Sequence, residues 1–306
     1  MRLTARQTWV LVLLTLVWGL NWPVMKLGVS GTPAQPHTYP PLTFRALSML
    51  GGLPVLAAAL VLMKVSLRLP RAQIGPLLQL ALTNMMIWHV VIISALPHLS
   101  SGRAAILGYT MPIFSAMWGM AVFGDRLSLR QWLGVAAAAL GVVLLLAHEF
   151  GRLSGAPWAA TAALVAACAW AYGTHRLRRT TMPVPLLTIG FWMTAATAVL
   201  MSTLALVLES SRWQPPTGIV WASIVYNAIG VFAFAHVAWF YLARTLPPVA
   251  STLSVMLIPV LGTFSGALWL GEALHWQDYA AVLLMVAAIA SVVMPPRAAS
   301  AGVGTG

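Results

Sequence analysis

Two histidines are the titratable side chains of this sequence whose positions best suit proton binding inside an apolar protein. His89 and His236 lie 147 residues apart, and each falls within a long run of apolar residues. Because imidazole ordinarily titrates at about pH 6.5, a histidine in such a run can take up and release a proton. A structural histidine held by hydrogen bonds is the alternative, and both interpretations stay open at this stage.

Several uncharged polar and aromatic residues also interrupt the apolar runs. Asn84 and Asn227 need hydrogen-bond partners in a low-dielectric surrounding, so they either link helices or line a cavity. Trp18 and Asn21 differ by three positions and share one helix face, which we expect to line a cavity for an apolar or aromatic solute. The full set predicted for this cavity is Trp18, Asn21, Asn84, Trp88, His89, Tyr109, Trp170, Tyr172, Asn227 and His236.

Carboxylates are absent from the middle of every apolar run, which argues against sodium coupling through carboxylate ligands. Asp125 and Glu272 each follow a glycine at the end of a run, and we predict that each caps the N-terminus of the next helix. The sequence contains no HExxH, no phosphate-binding glycine loop and no acidic metal box. It therefore predicts a protein that is not an enzyme and that needs no cofactor or metal.

The composition indicates an integral membrane protein, since 60% of the 306 residues are hydrophobic and only 7% are charged. Crossing a hydrocarbon layer of ~30 Å takes roughly 20 residues of helix, and the sequence contains about ten apolar runs that we expect to be long enough. Most connections between them are too short to hold a soluble domain. The predicted spans are residues 8–29, 42–63, 74–95, 101–123, 130–147, 156–175, 184–208, 219–242, 248–270 and 277–294.

The basic residues are dispersed over short connections, so the net charge of +12 does not indicate nucleic-acid binding. With the N-terminus inside the cell, twelve of the 17 lysines and arginines fall on the inner side. This asymmetry predicts that both termini lie in the cytoplasm. The remaining five are Lys26, Arg45, Arg103, Arg152 and Arg212, three of which lie just inside a helix end, where long side chains can reach the membrane interface.

An internal repeat divides the chain into two halves. Residues 107–127 align with residues 254–274, and the matches include Pro112 with Pro259 and Gly124 with Gly271. Each half holds five predicted spans, an odd number, so the second copy must enter the membrane with the opposite orientation. We predict an all-α fold of ten transmembrane helices in two inverted five-helix repeats. The first repeat takes residues 1–153 and the second takes residues 154–297, while the low-complexity tail at 298–306 is expected to be disordered.

Two of the residue pairs that match between the halves are candidates for a role in transport. Pro112 and Pro259 each remove a backbone donor near the centre of a span, and they act either as hinges or as ordinary packing kinks. Lys26 corresponds to Arg178 in a weaker match that also pairs Trp18 with Trp170. These two cations would stand one at the outer and one at the inner mouth of a pathway, or they would simply anchor helix ends.

The chain resembles the drug/metabolite transporter superfamily, specifically its EamA-type family of ten-span carriers. The resemblance lies in Trp18-Gly19 with Asn21 and Lys26, in the proline and Gly-acid-x-Leu pattern of the fourth and ninth spans, and in the QWLG at residues 131–134. Asp125, where the family usually has glutamate, and two alanines in the tenth span depart from the pattern. The resemblance implies export or exchange of small metabolites, often amino acids or amphipathic compounds, across a bacterial inner membrane.

The sequence as a whole therefore predicts a secondary transporter that works by alternating access in the efflux direction. Its expected partners are a small-molecule substrate and the lipid bilayer, with no nucleic acid, and it is expected to be a monomer or a homodimer. Proton-coupled antiport and facilitated exchange both stay open. A membrane scaffold or receptor that transports nothing is the alternative, although such a protein does not require duplicated prolines and polar residues in mid-span.

Overall fold

A computed structural model describes residues 4–32, 34–124, 126, 128–151, 156–245 and 248–293, and these residues contain helices but no named β-strand. Asp125 and the predicted tail at 298–306 lie outside them. The described chain forms ten long helical segments, and each predicted span falls on one of them. They are α1 (Ala5–Ser30), α2 (Pro41–Leu62), α3 (Arg71–His98), α4 (Ser101–Phe123), α5 (Leu129–Gly151), α6 (Pro157–Arg178), α7 (Leu186–Glu209), α8 (Gly218–Val225, Tyr226–Ala235 and His236–Thr245 in succession), α9 (Pro248–Leu270) and α10 (Trp276–Val293).

Six helices in the described residues are long and apolar enough to cross a membrane, compared with the ten predicted. They belong to α1, α2, α3, α4, α7 and α8. Shorter apolar stretches occur in α5, α9 and α10, at Leu129–Leu145, Leu257–Leu270 and Trp276–Ser291. The alanine-rich α6 falls in neither group, and its last turn carries three basic side chains. Large apolar side chains such as Leu62 and Leu268 are more than four-fifths exposed, as is expected of helices that face lipid.

The helices of the first five pack against the helices of the last five in matched pairs. The contact between α1 and α9 corresponds to the contact between α6 and α4. The contact between α2 and α8 corresponds to the contact between α7 and α3. The contact between α3 and α6 corresponds to the contact between α8 and α1. The pairs α2–α7, α4–α9 and α5–α10 also pack together. Exchanging the two sets of five helices therefore leaves these main contacts unchanged.

Two helices that occupy the same place in the two sets, α3 and α8, depart from α-helical geometry. A π-helical turn covers Leu82–Met86 in α3, and a longer π-helical stretch covers Tyr226–Ala235 in α8. Glycines of the neighbouring helices pack tightly against both, since a Cβ on Gly173 would lie 2.6 Å from the backbone nitrogen of Asn84, and one on Gly52 would lie 2.7 Å from the Ala228 carbonyl oxygen. Such wide turns occur frequently at functional sites.

The matched prolines lie in different local structures. Helix α4 is interrupted at Tyr109 and Thr110, and its second part begins at Met111 with Pro112 in the first turn. Helix α9, in contrast, continues through the buried Pro259 without a break. The two sets of helices are therefore not identical at this position, while the role of both prolines as hinges stays a prediction.

Carboxylates join helices at the end of the bundle where α1 ends and α2 begins, which we call the α1–α2 end. Glu209 of α7 accepts hydrogen bonds from the backbone N–H groups of Leu42 and Thr43, at 3.1 and 2.7 Å. Asp278 of α10 accepts one from Nε of Arg103 in α4, at 2.9 Å. These contacts connect the two sets of five helices.

Glu272 departs from its prediction, because it caps α4 rather than the next helix. Its carboxylate accepts hydrogen bonds from the backbone N–H and the Oγ of Ser101, at 2.7 and 2.8 Å. Gly271 adopts a φ of 65°, so the chain turns sharply after α9 and carries Glu272 across to the start of α4. Asp278 takes the position expected for Glu272 and accepts a hydrogen bond from the backbone N–H of His275 at 2.8 Å.

Candidate functional site

A cavity of about 310 Å³ lies between the two sets of helices, bounded by side chains of α1, α2, α3, α4, α6, α7 and α8. Its volume falls in the range of sites for small molecules. It extends from Met25 and Arg45, near the α1–α2 end, to Leu177 in the last turn of α6. The structure places eight of the ten predicted cavity residues on its wall, namely Trp18, Asn21, Asn84, Trp88, His89, Tyr109, Trp170 and His236.

Aromatic rings form a continuous part of the cavity wall. The ring of Trp22 lies 6.4 Å from those of both Trp88 and Tyr109, and Trp88 lies 5.4 Å from Trp170, all in edge-to-face arrangements. On the α8 side, the rings of Trp18 and Trp239 lie 5.6 Å apart. Such a wall suits a flat or branched apolar solute.

Helix α1 presents a polar and aromatic face to the cavity because of its residue spacing. Trp18, Asn21, Trp22 and Met25 recur at intervals of three and four positions, which puts them on one side of the helix. Gly19 holds α1 close to α9, since a Cβ there would lie 2.6 Å from Leu261 side-chain atoms. The close packing on α9 fixes the orientation of the cavity-facing side.

Asn84 both lines the cavity and links two helices. Its Nδ2 donates hydrogen bonds to the Trp170 carbonyl oxygen at 3.3 Å and to Thr174 Oγ1 at 3.0 Å. The π-helical turn of α3 carries this side chain toward α6, beside the close contact at Gly173. Asn84 therefore fits both interpretations that the sequence left open, since its side chain lines the cavity and also links α3 to α6.

The two predicted histidines meet around one aromatic ring. The His89 ring lies 5.5 Å from the Phe232 ring, and the His236 ring stacks on Phe232 at 6.1 Å. His236 Nδ1 is 3.0 Å from the Val231 carbonyl oxygen, whereas His89 Nδ1 has no hydrogen-bond partner among the described residues. The arrangement brings an unpartnered imidazole nitrogen to the cavity wall.

The arginine at position 45 is the functional candidate that sequence reasoning missed. The positive-inside count placed Arg45 with the outer cations, several of which lie near a helix end, but its side chain is only 2% exposed and lines the cavity. Nη1 donates to Asn227 Oδ1 at 3.3 Å, and the guanidinium lies over the Phe232 ring at 5.6 Å. The signal was present, because Arg45 lies inside an apolar run, where a charged residue is expected to be functional.

Two predicted cavity residues do not line the cavity. Asn227 is fully buried behind Arg45, and its Nδ2 donates to the Ser223 carbonyl oxygen at 3.0 Å. Tyr172 packs against Trp118, with 5.2 Å between their rings, on a different side of α6 from Trp170. Two positions along an α-helix correspond to a rotation of about 200°, so Tyr172 and Trp170 cannot share a face.

The predicted mouth cations also lie away from the cavity wall. Lys26 Nζ donates to the carbonyl oxygens of Leu96 and Pro97, at 3.1 and 2.7 Å, and so satisfies the last turn of α3 at the α1–α2 end. Arg178 is exposed in the last turn of α6, where a cation interacts favourably with the helix dipole. Within the described residues, no cluster of three or more His, Cys, Asp or Glu side chains could hold a metal ion.

Comparison with known proteins identifies the family. The sequence pattern of the EamA-like transporter family matches the chain twice, over residues 7–147 and 153–294. The chain belongs to the EamA-like transporter family. This result confirms the resemblance inferred from the sequence, and the chain is a membrane transporter of the drug/metabolite type.

Relatives of this EamA-like transporter carry transporter names. It is 28% identical to the "Uncharacterized inner membrane transporter YedA" of Escherichia coli (strain K12), over 92% of this chain and 88% of that protein. It is 25% identical to the "Probable terminal-alkyne amino-acid exporter" of Streptantibioticus cattleyicolor, over 88% and 86% of the chains. It is also 25% identical to a "Probable amino-acid metabolite efflux pump" of Escherichia coli (strain K12), over 90% of each.

One solved crystal structure shares the fold of this EamA-like transporter. The two superpose with a TM-score of 0.64, at 24% identity, and the alignment covers 92% of this chain and 97% of the other. The helical arrangement is thus shared over nearly the whole length of both chains.

Proposed function

We propose that this EamA-like transporter exports small amphipathic metabolites, such as amino acids or aromatic compounds, by alternating access. The observation that carries the proposal is the buried cavity between the two sets of five helices, which combines an aromatic wall with polar side chains. A carrier needs a site of this kind near the middle of the membrane, whereas a scaffold or receptor that transports nothing does not. The efflux names of two relatives support the same direction of transport.

The architecture that we propose for this transport is ten transmembrane helices in two inverted repeats. The matched helix contacts and the two matches of the family pattern support it. The name of the YedA relative supports an inner-membrane location, and the excess of basic residues on one side supports cytoplasmic termini. In this orientation the α1–α2 end faces outward.

We further propose that the structure represents a state open toward the cytoplasm. The contacts of Glu209, Glu272 and Asp278 tie the helices together at the α1–α2 end. The cavity reaches Leu177 and Gly190, which lie at the opposite end, in the last turn of α6 and the first turns of α7. A solute would therefore enter from the cytoplasm and leave after the outer contacts open.

Counterflow of labelled solutes into proteoliposomes, with and without a pH gradient, tests the proposal. Trp18→Ala and Asn21→Ala are expected to reduce counterflow at least tenfold without lowering membrane insertion, because both side chains line the cavity. Trp221→Ala is the matched control, since Trp221 is 49% exposed and lies away from the cavity. A panel of amino acids, aromatic acids, amides and amines that shows no counterflow would refute a carrier function.

A further inference from the structure

Arg45 is a buried cation for which the described part of the chain offers no carboxylate partner. The carboxylate side chains that the structure describes belong to Glu209, Glu272 and Asp278, and each is bound elsewhere. Glu209 binds the start of α2, Glu272 binds Ser101, and Asp278 binds Arg103. The guanidinium instead contacts a neutral amide, the Met25 sulfur and the Phe232 ring.

A charge held in this way is unfavourable unless something else completes its surroundings. Burial removes the hydration of the guanidinium, and neutral contacts only partly replace it. Arg45 is 2% exposed, and its Nε has no hydrogen-bond partner among the described residues. The guanidinium therefore lacks both a counter-ion and an acceptor for its Nε–H among the described residues.

Two other atoms on the cavity wall are left without partners in the described residues. Asn21 Oδ1 and His89 Nδ1 are both buried and unbonded, and both residues line the same cavity as Arg45. The cavity thus offers a charged donor, a neutral acceptor and an imidazole nitrogen, while none of its described lining residues is acidic. A cationic solute would meet the charge of Arg45 with nothing to offset it.

We propose that the cargo is an organic anion with one carboxylate on an aromatic or branched apolar body, and that Arg45 binds the carboxylate. The inference rests on the proposed transport function and names its substrate class. A guanidinium forms directed, charge-assisted hydrogen bonds with a carboxylate, which Nε and an adjacent Nη can supply. The aromatic wall formed by Trp22, Trp88 and Trp170 holds the apolar body, and Asn21 Oδ1 accepts a hydrogen bond from a hydroxyl or amino group of the cargo.

Binding of four matched probes to the full-length protein in lipid nanodiscs tests the proposal. The probes are 3-phenylpropionate, its uncharged amide, phenethylamine as the cation, and phenylalanine as the zwitterion. Tryptophan fluorescence reports binding, because several tryptophans line the cavity. We expect the two carboxylates to bind at least tenfold more tightly than the amide and the amine.

Variants of Arg45 separate charge recognition from folding. Arg45→Gln is expected to abolish the preference for the acid over the amide, and Arg45→Lys to restore part of it. Arg68→Gln removes the same charge from an exposed position outside the cavity and should leave the preference unchanged. If Arg45→Gln does not fold, the acid-to-amide ratios of the wild type and of Arg45→Lys still decide the question.

The results that overturn the proposal are distinct from those that overturn transport. An acid-to-amide ratio near one in the wild type, tightest binding of the amine, or no binding of any probe contradicts an anionic cargo. If neutral or cationic solutes show counterflow that Arg45→Gln leaves unchanged, the transport function stands and this inference fails. If no solute shows counterflow, the transport function itself fails.

Discussion

Arg45 on α2 donates a hydrogen bond from Nη1 to Oδ1 of Asn227 on α8, over a distance of 3.3 Å. The bond crosses from the first set of five helices to the second. Asn227 is fully buried, and its own amide group is held by the Ser223 carbonyl oxygen. Asn227 therefore orients the guanidinium toward the cavity while leaving its positive charge uncompensated.

Replacing Asn227 by aspartate should block anion binding from inside the protein. A carboxylate at this position lies within hydrogen-bond distance of Arg45 and supplies the counter-ion that the cargo is proposed to bring. We expect Asn227→Asp to weaken binding of 3-phenylpropionate at least tenfold, and to lower the melting temperature less than Asn227→Ala does, because the ion pair with Arg45 offsets the lost hydrogen bond to Ser223. Tryptophan fluorescence titration and thermal unfolding in nanodiscs provide the two measurements.

Asn227→Ala is the control for this change, because it removes the hydrogen bond to Arg45 without adding a charge. It should lower the melting temperature. It should also weaken anion binding, but by a smaller factor than Asn227→Asp does. If alanine and aspartate weaken binding equally, the effect comes from lost positioning and not from the added charge.

The cavity could be predicted from the sequence only where helix periodicity and the internal repeat applied. The spacing of Trp18 and Asn21 predicted their common face, and the repeat paired His89 with His236 at its 147-residue offset. All four side chains line the cavity. The prediction that Tyr172 lines the same cavity as Trp170 is wrong, because the rotation between the two positions puts them on different sides of α6. Periodicity along one helix gives the face of a side chain, but the partner helix decides whether that face meets a cavity.

The π-helical turns and the role of Arg45 could not be predicted in this way. A π-helical turn has no simple residue pattern, and at Leu82–Met86 it accompanies the close contact of Asn84 with Gly173 on another helix. The charge count assigns Arg45 only to one side of the membrane, because such a count takes no account of whether a carboxylate is near. The burial of Arg45 and the occupation of the described carboxylates elsewhere become visible only in three dimensions.

Neutralising Glu272 should loosen the α1–α2 end. The Glu272 carboxylate accepts two hydrogen bonds from Ser101, and bonds to a charged group contribute about 1.5–3 kcal/mol. We expect Glu272→Gln to lower the melting temperature and to populate the state open at this end. In a Cys168→Ala background, a cysteine introduced by Ala105→Cys should then react faster with a membrane-impermeant maleimide applied from that side.

Labelling at position 105 reports specifically on opening of this end, because Ala105 is fully buried in α4 while the end is closed. A matched change at the exposed Gln35 between α1 and α2, Gln35→Ala, should leave the labelling rate as it is in the parent protein. Equal labelling rates with and without the Glu272 carboxylate would mean that its contact with Ser101 does not hold this end closed.

Adding a methyl group at Gly173 should disturb the packing of α6 against α3. A Cβ at this position would lie 2.6 Å from the backbone nitrogen of Asn84, and backbone atoms cannot rotate away as a flexible side chain can. We expect Gly173→Ala to destabilise the protein by about 1–3 kcal/mol, as overpacking usually does. Gly75→Ala is the control, because no atom lies within 4 Å of its added Cβ, and a melting temperature for Gly173→Ala as high as that of the control would contradict the tight contact.

Transport of an organic anion should respond to the membrane potential. Moving one monoanion out of a compartment with a negative interior releases about 2.3 kcal/mol of free energy per 100 mV. This free energy corresponds to roughly a fifty-fold ratio of concentrations at equilibrium, since about 1.4 kcal/mol corresponds to a factor of ten. In proteoliposomes with a potassium diffusion potential set by valinomycin, a negative interior should speed efflux of 3-phenylpropionate and slow its uptake. The uncharged amide serves as the control solute, because the potential does no work on it. Efflux of the acid at the same rate under both signs of potential would require a co-transported cation or an exchanged anion to balance its charge.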